Sequence, residues 1–146
     1  MGVPFDLNHA NPLTAAPPLA RGDLFSTWQM GYKFFRVDLS VDEREWSFHL
    51  GSTGCISASA VRPPATECAQ PDRMRVELKG DPLREVVRLD LESLAAAARA
   101  ASYVVCTGDY AAVSACAPAY ATTGLQLSTG ACADAFCAGQ RLWSLK

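Results

Sequence analysis

Apolar and polar residues alternate most regularly between Tyr32 and Leu50. In YKFFRVDL (32–39), Lys33, Phe35, Val37 and Leu39 face one way, and Tyr32, Phe34, Arg36 and Asp38 the other. In EWSFHL (45–50), Trp46, Phe48 and Leu50 share a face, with Ser47 and His49 opposite. Period-two alternation marks a half-buried strand. With residues 41–44 (VDER) as the turn, these segments predict a β-hairpin. Weaker alternation in RMRVELK (73–79), through Met74, Val76 and Leu78, predicts a further strand. A Gly80-Asp81-Pro82 turn leads to another in EVVRLDL (85–91), and RLWSL near the end predicts a last short one. The alanine-rich ESLAAAARAAS (92–102) predicts a helix. MGVPFDL (1–7) predicts a short edge strand in which Pro4 removes one ladder donor. Pro12, Pro17 and Pro18 make residues 8–22 a stiff loop. Asp23 is placed to cap a short helix through DLFSTWQM that Gly31 ends. The sum is a mostly-β chain: an antiparallel β-sandwich with one short helix and loop-rich connections.

Six cysteines, at 55, 68, 106, 116, 132 and 137, change this picture. Their even number and close spacing point to disulfides and an oxidising compartment. No C-x2-C pair is present, which disfavours a reduced zinc site. Of the many possible pairings, sequence neighbours favour Cys55–Cys68, Cys106–Cys116 and Cys132–Cys137. The expected location is therefore periplasmic or extracellular. Residues 1–20 lack the basic and apolar regions of a signal peptide, so the export signal is expected outside this chain. No apolar run is long enough to span a membrane. Thirteen basic against 15 acidic side chains make no basic field, so nucleic acid is not an expected partner.

Candidate chemistry is sparse. The histidines are His9, in the proline-rich loop, and His49, on the polar face of the hairpin. Neutral imidazole is both a common metal ligand and an acid–base group. No G-x-S-x-G elbow and no glycine-rich phosphate loop occurs, and the acidic pairs Asp42-Glu43 and Asp90…Glu92 read as a turn and a helix start. Oxidised cysteines can be neither nucleophiles nor thiolate ligands. Trp46 and Trp143 fit strand-borne core positions, and Trp28 reads as an apolar anchor just before the hairpin.

The ordered runs GVPFDLNHANP, STWQMGYKFFRVDL and WSFHLGSTGC carry a resemblance. So do the C-x9-C-x-P stretch from Cys106 through Pro118 and the closing Gln140…Trp143. Together they resemble the MbnP-like proteins, or metallo-mystery-pair four-cysteine-motif proteins, which are periplasmic or surface copper-binding proteins. The resemblance spans residues 1–146 as a single MbnP-like domain and lacks the family's N-terminal portion. It implies a copper-binding protein, not an enzyme, with Cu(I) held by two histidines. A nearby tryptophan would be oxidised to kynurenine by a separate di-haem enzyme of the MbnH type. The matching histidines are His9, in the Asn-His motif, and His49, in the His-Leu-Gly motif. Trp28, in the W-Q-x-G-Y-K motif, is the first choice for the oxidised residue. Trp46 is the second, because its strand position points it away from His49. Asn8 or Tyr32 is expected to orient a ring nitrogen from behind. The competing reading is a secreted, disulfide-stabilised structural or protein-interaction domain with no metal. A hydrolase would need a histidine beside a serine and a carboxylate in a cleft.

Overall fold

The structure is a computed structural model describing residues 1–81, 83–101, 105–106 and 114–146. Its frame is the hairpin of β2 (Gly31–Val41) and β3 (Arg44–Gly51). The turn is tighter than the expected VDER loop. Val41 pairs with Arg44, leaving only Asp42 and Glu43 between the strands. Both have positive φ, 51° and 62°, the backbone hand that a two-residue hairpin turn needs to match strand twist.

Pairing Phe35 with Leu50, Val37 with Phe48 and Leu39 with Trp46 stacks the apolar residues on one face. Trp46, Phe48 and Leu50 are 4 %, 0 % and 0 % exposed. The opposite face carries the pairs Arg36 with His49 and Asp38 with Ser47. An irregularity at Phe34 breaks the register between Lys33 and Phe35. It inserts one residue and takes Lys33 off the face expected from simple alternation. On the outer side of β2 lies β1 (Phe25–Thr27), antiparallel. On the other side of β3 lies β5 (Val105–Cys106), which pairs in parallel. A separate antiparallel pair joins β4 (Val87–Leu89) to β6 (Trp143–Leu145).

Three short α-helices are described, of which the alanine-rich one was expected. α2 (Leu91–Ala100) is the alanine-rich helix, capped by Asp90, whose carboxylate accepts from the Glu92 amide at 3.0 Å. α3 (Ala117–Thr123) has Pro118 in its first turn and left-handed Gly124 at its end, the usual start and stop residues. α1 (Phe5–Asn8) replaces the expected edge strand with one helical turn, closed by Asn8 N–H to the Pro4 carbonyl at 2.8 Å. The helix expected after Asp23 is absent, because Asp23 pairs with Arg21 at 2.7 Å instead of capping. Phe25 stacks edge-on against its cross-strand partner Tyr32, centroids 5.1 Å apart, which favours strand. Residues 73–79 belong to no described strand. Met74, Val76 and Leu78 turn inward, and the backbone of Met74 exchanges hydrogen bonds with Met1.

The core packs Phe48, Leu50 and Trp46 against Leu94, Ala97 and Ala98 of α2, Tyr120 of α3, Leu125 and Leu142. The described residues are therefore strand-based with short helices and antiparallel-dominant sheets. Three disulfides, Cys55–Cys68, Cys106–Cys116 and Cys132–Cys137, tie down the irregular segments. Pro82 of the expected turn, Ser102 of the expected helix and most of the C-x9-C stretch lie outside the described residues.

Candidate metal centre

The two histidines reach their positions by different routes. His9 follows α1 directly, and the helical turn sets its ring against Phe5 four residues earlier, centroids 5.5 Å apart. Asn8 anchors this end of α1. It is 1 % exposed, donates to the Met30 carbonyl at 3.2 Å and accepts from the Tyr32 amide at 3.2 Å. That clamp brings His9 onto the β1–β2 turn, where its Nδ1 lies 3.2 Å from the carbonyl of Trp28. The structure thus joins His9 and Trp28, nineteen positions apart.

His49 stands on the polar face of β3, its side chain 11 % exposed. Its Nε2 lies 3.3 Å from Asp38 Oδ1. The same oxygen accepts from the Ser47 hydroxyl at 2.7 Å, and Asp38 Oδ2 accepts from Arg36 Nε at 2.7 Å. The Ser47 hydroxyl first, then Arg36 and His49, hold the Asp38 carboxyl down at about 2. Ser47 donates to Asp38 rather than to the ring, so Ser47, His49 and Asp38 do not make the serine–imidazole contact that a hydrolase requires.

Both imidazoles share one electrostatic condition. Burial lowers the pKa of each, against the opposing hydrogen bonds to Trp28 and Asp38. Lys33 and Arg36 push His49 down further. Both rings are thus biased to the neutral form, the one that ligates metals. Each also has one enclosed nitrogen with no partner among the described residues, Nε2 of His9 and Nδ1 of His49. Buried ring nitrogens normally find a partner; the indole Nε1 of Trp46 and Nε of Arg73 are likewise enclosed without one among the described residues. No cluster of three or more His, Cys, Asp or Glu side chains suited to a metal occurs among the described residues. The described cysteines are all disulfide-bonded, so none of them offers a thiolate ligand.

Trp28 occupies the β1–β2 turn, partly buried, with its ring edge-on to Phe25 at 5.2 Å. The next residue, Gln29, donates to the Cys55 carbonyl at 2.8 Å and links this turn to the first disulfide loop. Trp46 lies on the core face, stacked on Phe48 at 6.0 Å. The residues expected to orient the rings are engaged elsewhere: Asn8 binds backbone, and the Tyr32 hydroxyl donates to the Leu19 carbonyl. Asp38 takes that role for His49. The signal for it was the R-x-D run facing S-x-H across the hairpin, which becomes readable once the register is fixed.

Comparison with curated proteins finds no match. Among solved structures, MbnP from Methylosinus trichosporium is similar, at 27 % identity and a TM-score of 0.66. The match covers 95 % of this chain and 55 % of that one, so the chain spans about half the length of this relative. The MbnP family profile matches residues 1–107. That stretch contains His9, Trp28, Asp38 and His49 with the hairpin that carries them, and the chain belongs to the MbnP family.

Proposed function

We propose that the protein binds copper as Cu(I) through His9 and His49. Family membership suggests a methanobactin-associated, copper-related role and a non-catalytic partner protein. The observation that carries the finer reading is the pair of enclosed, unpartnered ring nitrogens on two imidazoles biased to the neutral form. Imidazole suits copper, and a site with few ligands favours Cu(I) over Cu(II), which prefers tetragonal coordination. The protein holds the metal and performs no turnover. The three disulfides fit a periplasmic or extracellular setting, and no described helix is long and apolar enough to cross a membrane.

Trp28 is the residue we assign to oxidation by a di-haem MbnH-type partner. It adjoins His9 through its carbonyl and is only partly buried. Trp46, 4 % exposed among core side chains, offers such an enzyme no access. Conversion to kynurenine removes indole C2 and adds one oxygen. Co-expression with the di-haem enzyme should give that mass change on the Trp28 peptide, and a change on the Trp46 peptide would reverse the assignment.

Titration with Cu(I) against a chromogenic chelator tests the site. His9→Ala combined with His49→Ala should abolish high-affinity binding, and unchanged affinity would overturn the reading. A metal-free interaction domain is the second reading. It draws on the apolar side chains that Val86, Val87, Leu89 and Leu91 leave exposed around β4. It gains if wild-type protein takes up no Cu(I).

A further inference from the structure

We propose that Asp38 and the Trp28 carbonyl are positioning groups that fix the two imidazoles in opposite tautomers, so that His9 presents Nε2 and His49 presents Nδ1. The proposal rests on the copper reading for what those nitrogens bind. The assignment of protons stands without it.

A neutral imidazole has one N–H donor and one lone-pair acceptor. The partner of His9 Nδ1 is a backbone carbonyl, at 3.2 Å, which can only accept. Nδ1 therefore carries the proton, and the lone pair is on Nε2. The partner of His49 Nε2 is Asp38, at 3.3 Å. An ionised carboxylate can also only accept, so here the proton is on Nε2 and the lone pair on Nδ1. These two lone-pair nitrogens are the same two atoms that are enclosed without a partner. On both rings the acceptor-only partner leaves the lone pair on the enclosed nitrogen, the arrangement of metal-ligating imidazoles, which donate their other ring N–H to a carbonyl or carboxylate.

Asp38 is built to hold this arrangement. Arg36 fixes one oxygen, and Ser47 and His49 share the other. Arg36 and Asp38 stand two apart on β2, directly across from His49 and Ser47 on β3. The square is set by strand register, so the carboxylate cannot turn away from the ring without leaving the Ser47 hydroxyl or the Arg36 guanidinium behind. An asparagine at this position could aim its N–H at Nε2. That would favour the tautomer protonated on Nδ1 and occupy the nitrogen meant to bind metal.

The test reads tautomers directly in metal-free, 15N-labelled protein by long-range 1H–15N correlation of the histidine rings. Wild type should show His9 protonated on Nδ1 and His49 on Nε2. Asp38→Asn should move His49 toward the Nδ1-protonated form, leave His9 unchanged and weaken Cu(I) binding by about 10–100-fold. Asp38→Glu, which keeps an acceptor-only group, should restore part of that affinity. A purely structural Asp38 would change thermal stability but leave the His49 tautomer as it was, and that result overturns the proposal. So does a wild-type His49 protonated on Nδ1, a reading that does not depend on whether any variant folds. If the tautomers come out as stated while His9→Ala with His49→Ala keeps its Cu(I) affinity, the copper reading falls. The ligand role of these nitrogens falls with it, and the proton assignment alone survives.

Discussion

Asp72 is a carboxyl group enclosed in the protein, 1 % exposed. It receives the Tyr120 hydroxyl at 3.3 Å and the Thr53 hydroxyl at 3.4 Å, and among the described residues no cation pairs with it. Burial pushes its pKa up to about 7, against the lowering effect of those two hydrogen bonds. The folded protein therefore keeps a proton that the unfolded chain releases above about 4. The contribution of Asp72 to stability is complete below the unfolded value and is lost as pH rises toward 7, by up to about 4 kcal/mol. Its φ of 51° is one that asparagine tolerates well. Asp72→Asn should therefore fold, lack this titration, and gain on wild type as pH rises from about 4 to about 7. Urea unfolding of both proteins across that range is the measurement. His9 and His49, whose pKa values burial lowers, act in the opposite sense by losing stability as pH falls below 6.5. They are present in both proteins and cancel in the difference. Parallel stability curves for the two proteins would show that Asp72 is ionised in the fold.

The contact between α1 and the β1–β2 turn depends on a missing side chain. Gly31 has φ of +76°, and a Cβ there would fall 2.2 Å from the Asn8 carbonyl oxygen and 2.6 Å from its side-chain nitrogen. Gly31→Ala combines left-handed strain of about 1–3 kcal/mol with a collision against buried backbone. The expected outcome is a lower melting temperature and weaker Cu(I) binding, because Asn8 and with it His9 must move off the turn. Gly22→Ala is the control, since a Cβ there meets nothing within 4 Å. If Gly31→Ala matches that control in both measurements, α1 is not what seats His9. The same contact explains which elements could be read in advance. β2 and β3 were legible because one face of the hairpin is buried, so that Trp46, Phe48 and Leu50 had to alternate with Ser47 and His49. α2 was legible from its alanines and from Asp90. α1 was not, because Phe5–Asn8 is a single turn held by Asn8 docking on residues far along the chain. The segment after Asp23 misled for a related reason: its helix-like capping residue is spent on Arg21, and Phe25 answers to Tyr32 instead. Of the candidate site, both histidines and Trp28 came from motif and residue type. Asp38 required knowing that it stands beside His49 across a fixed register.

The buried centre and the periphery of the molecule are held by different forces. Phe48, Leu50, Leu94 and Leu142 are wholly enclosed and gather β3, α2 and the C-terminal segment into one core. Much of what surrounds them has little regular structure, and there the disulfides act. Cys55–Cys68 closes a loop whose stem is the Thr53–Gln70 bridge, and the Cys55 carbonyl in turn receives Gln29 beside Trp28. Cross-linking stabilises mainly by restricting the unfolded chain, and more so for longer loops. For separations of 13, 10 and 5 residues, the chain-entropy relation gives about 3 kcal/mol for each of the two longer loops and about 2 kcal/mol for the shortest. Domains of this size are stable by only about 5–15 kcal/mol, so losing all three should leave a marginal fold or none. Thermal unfolding followed by circular dichroism, with and without a strong reductant, makes the comparison. The reduced protein should melt far below the oxidised one or show no transition. Among paired Cys→Ala variants, Cys55 with Cys68 should cost more than Cys132 with Cys137. A reduced protein that melts at the same temperature as the oxidised one would mean that the apolar core suffices, and would remove the physical reason for expecting this fold only where thiols are oxidised.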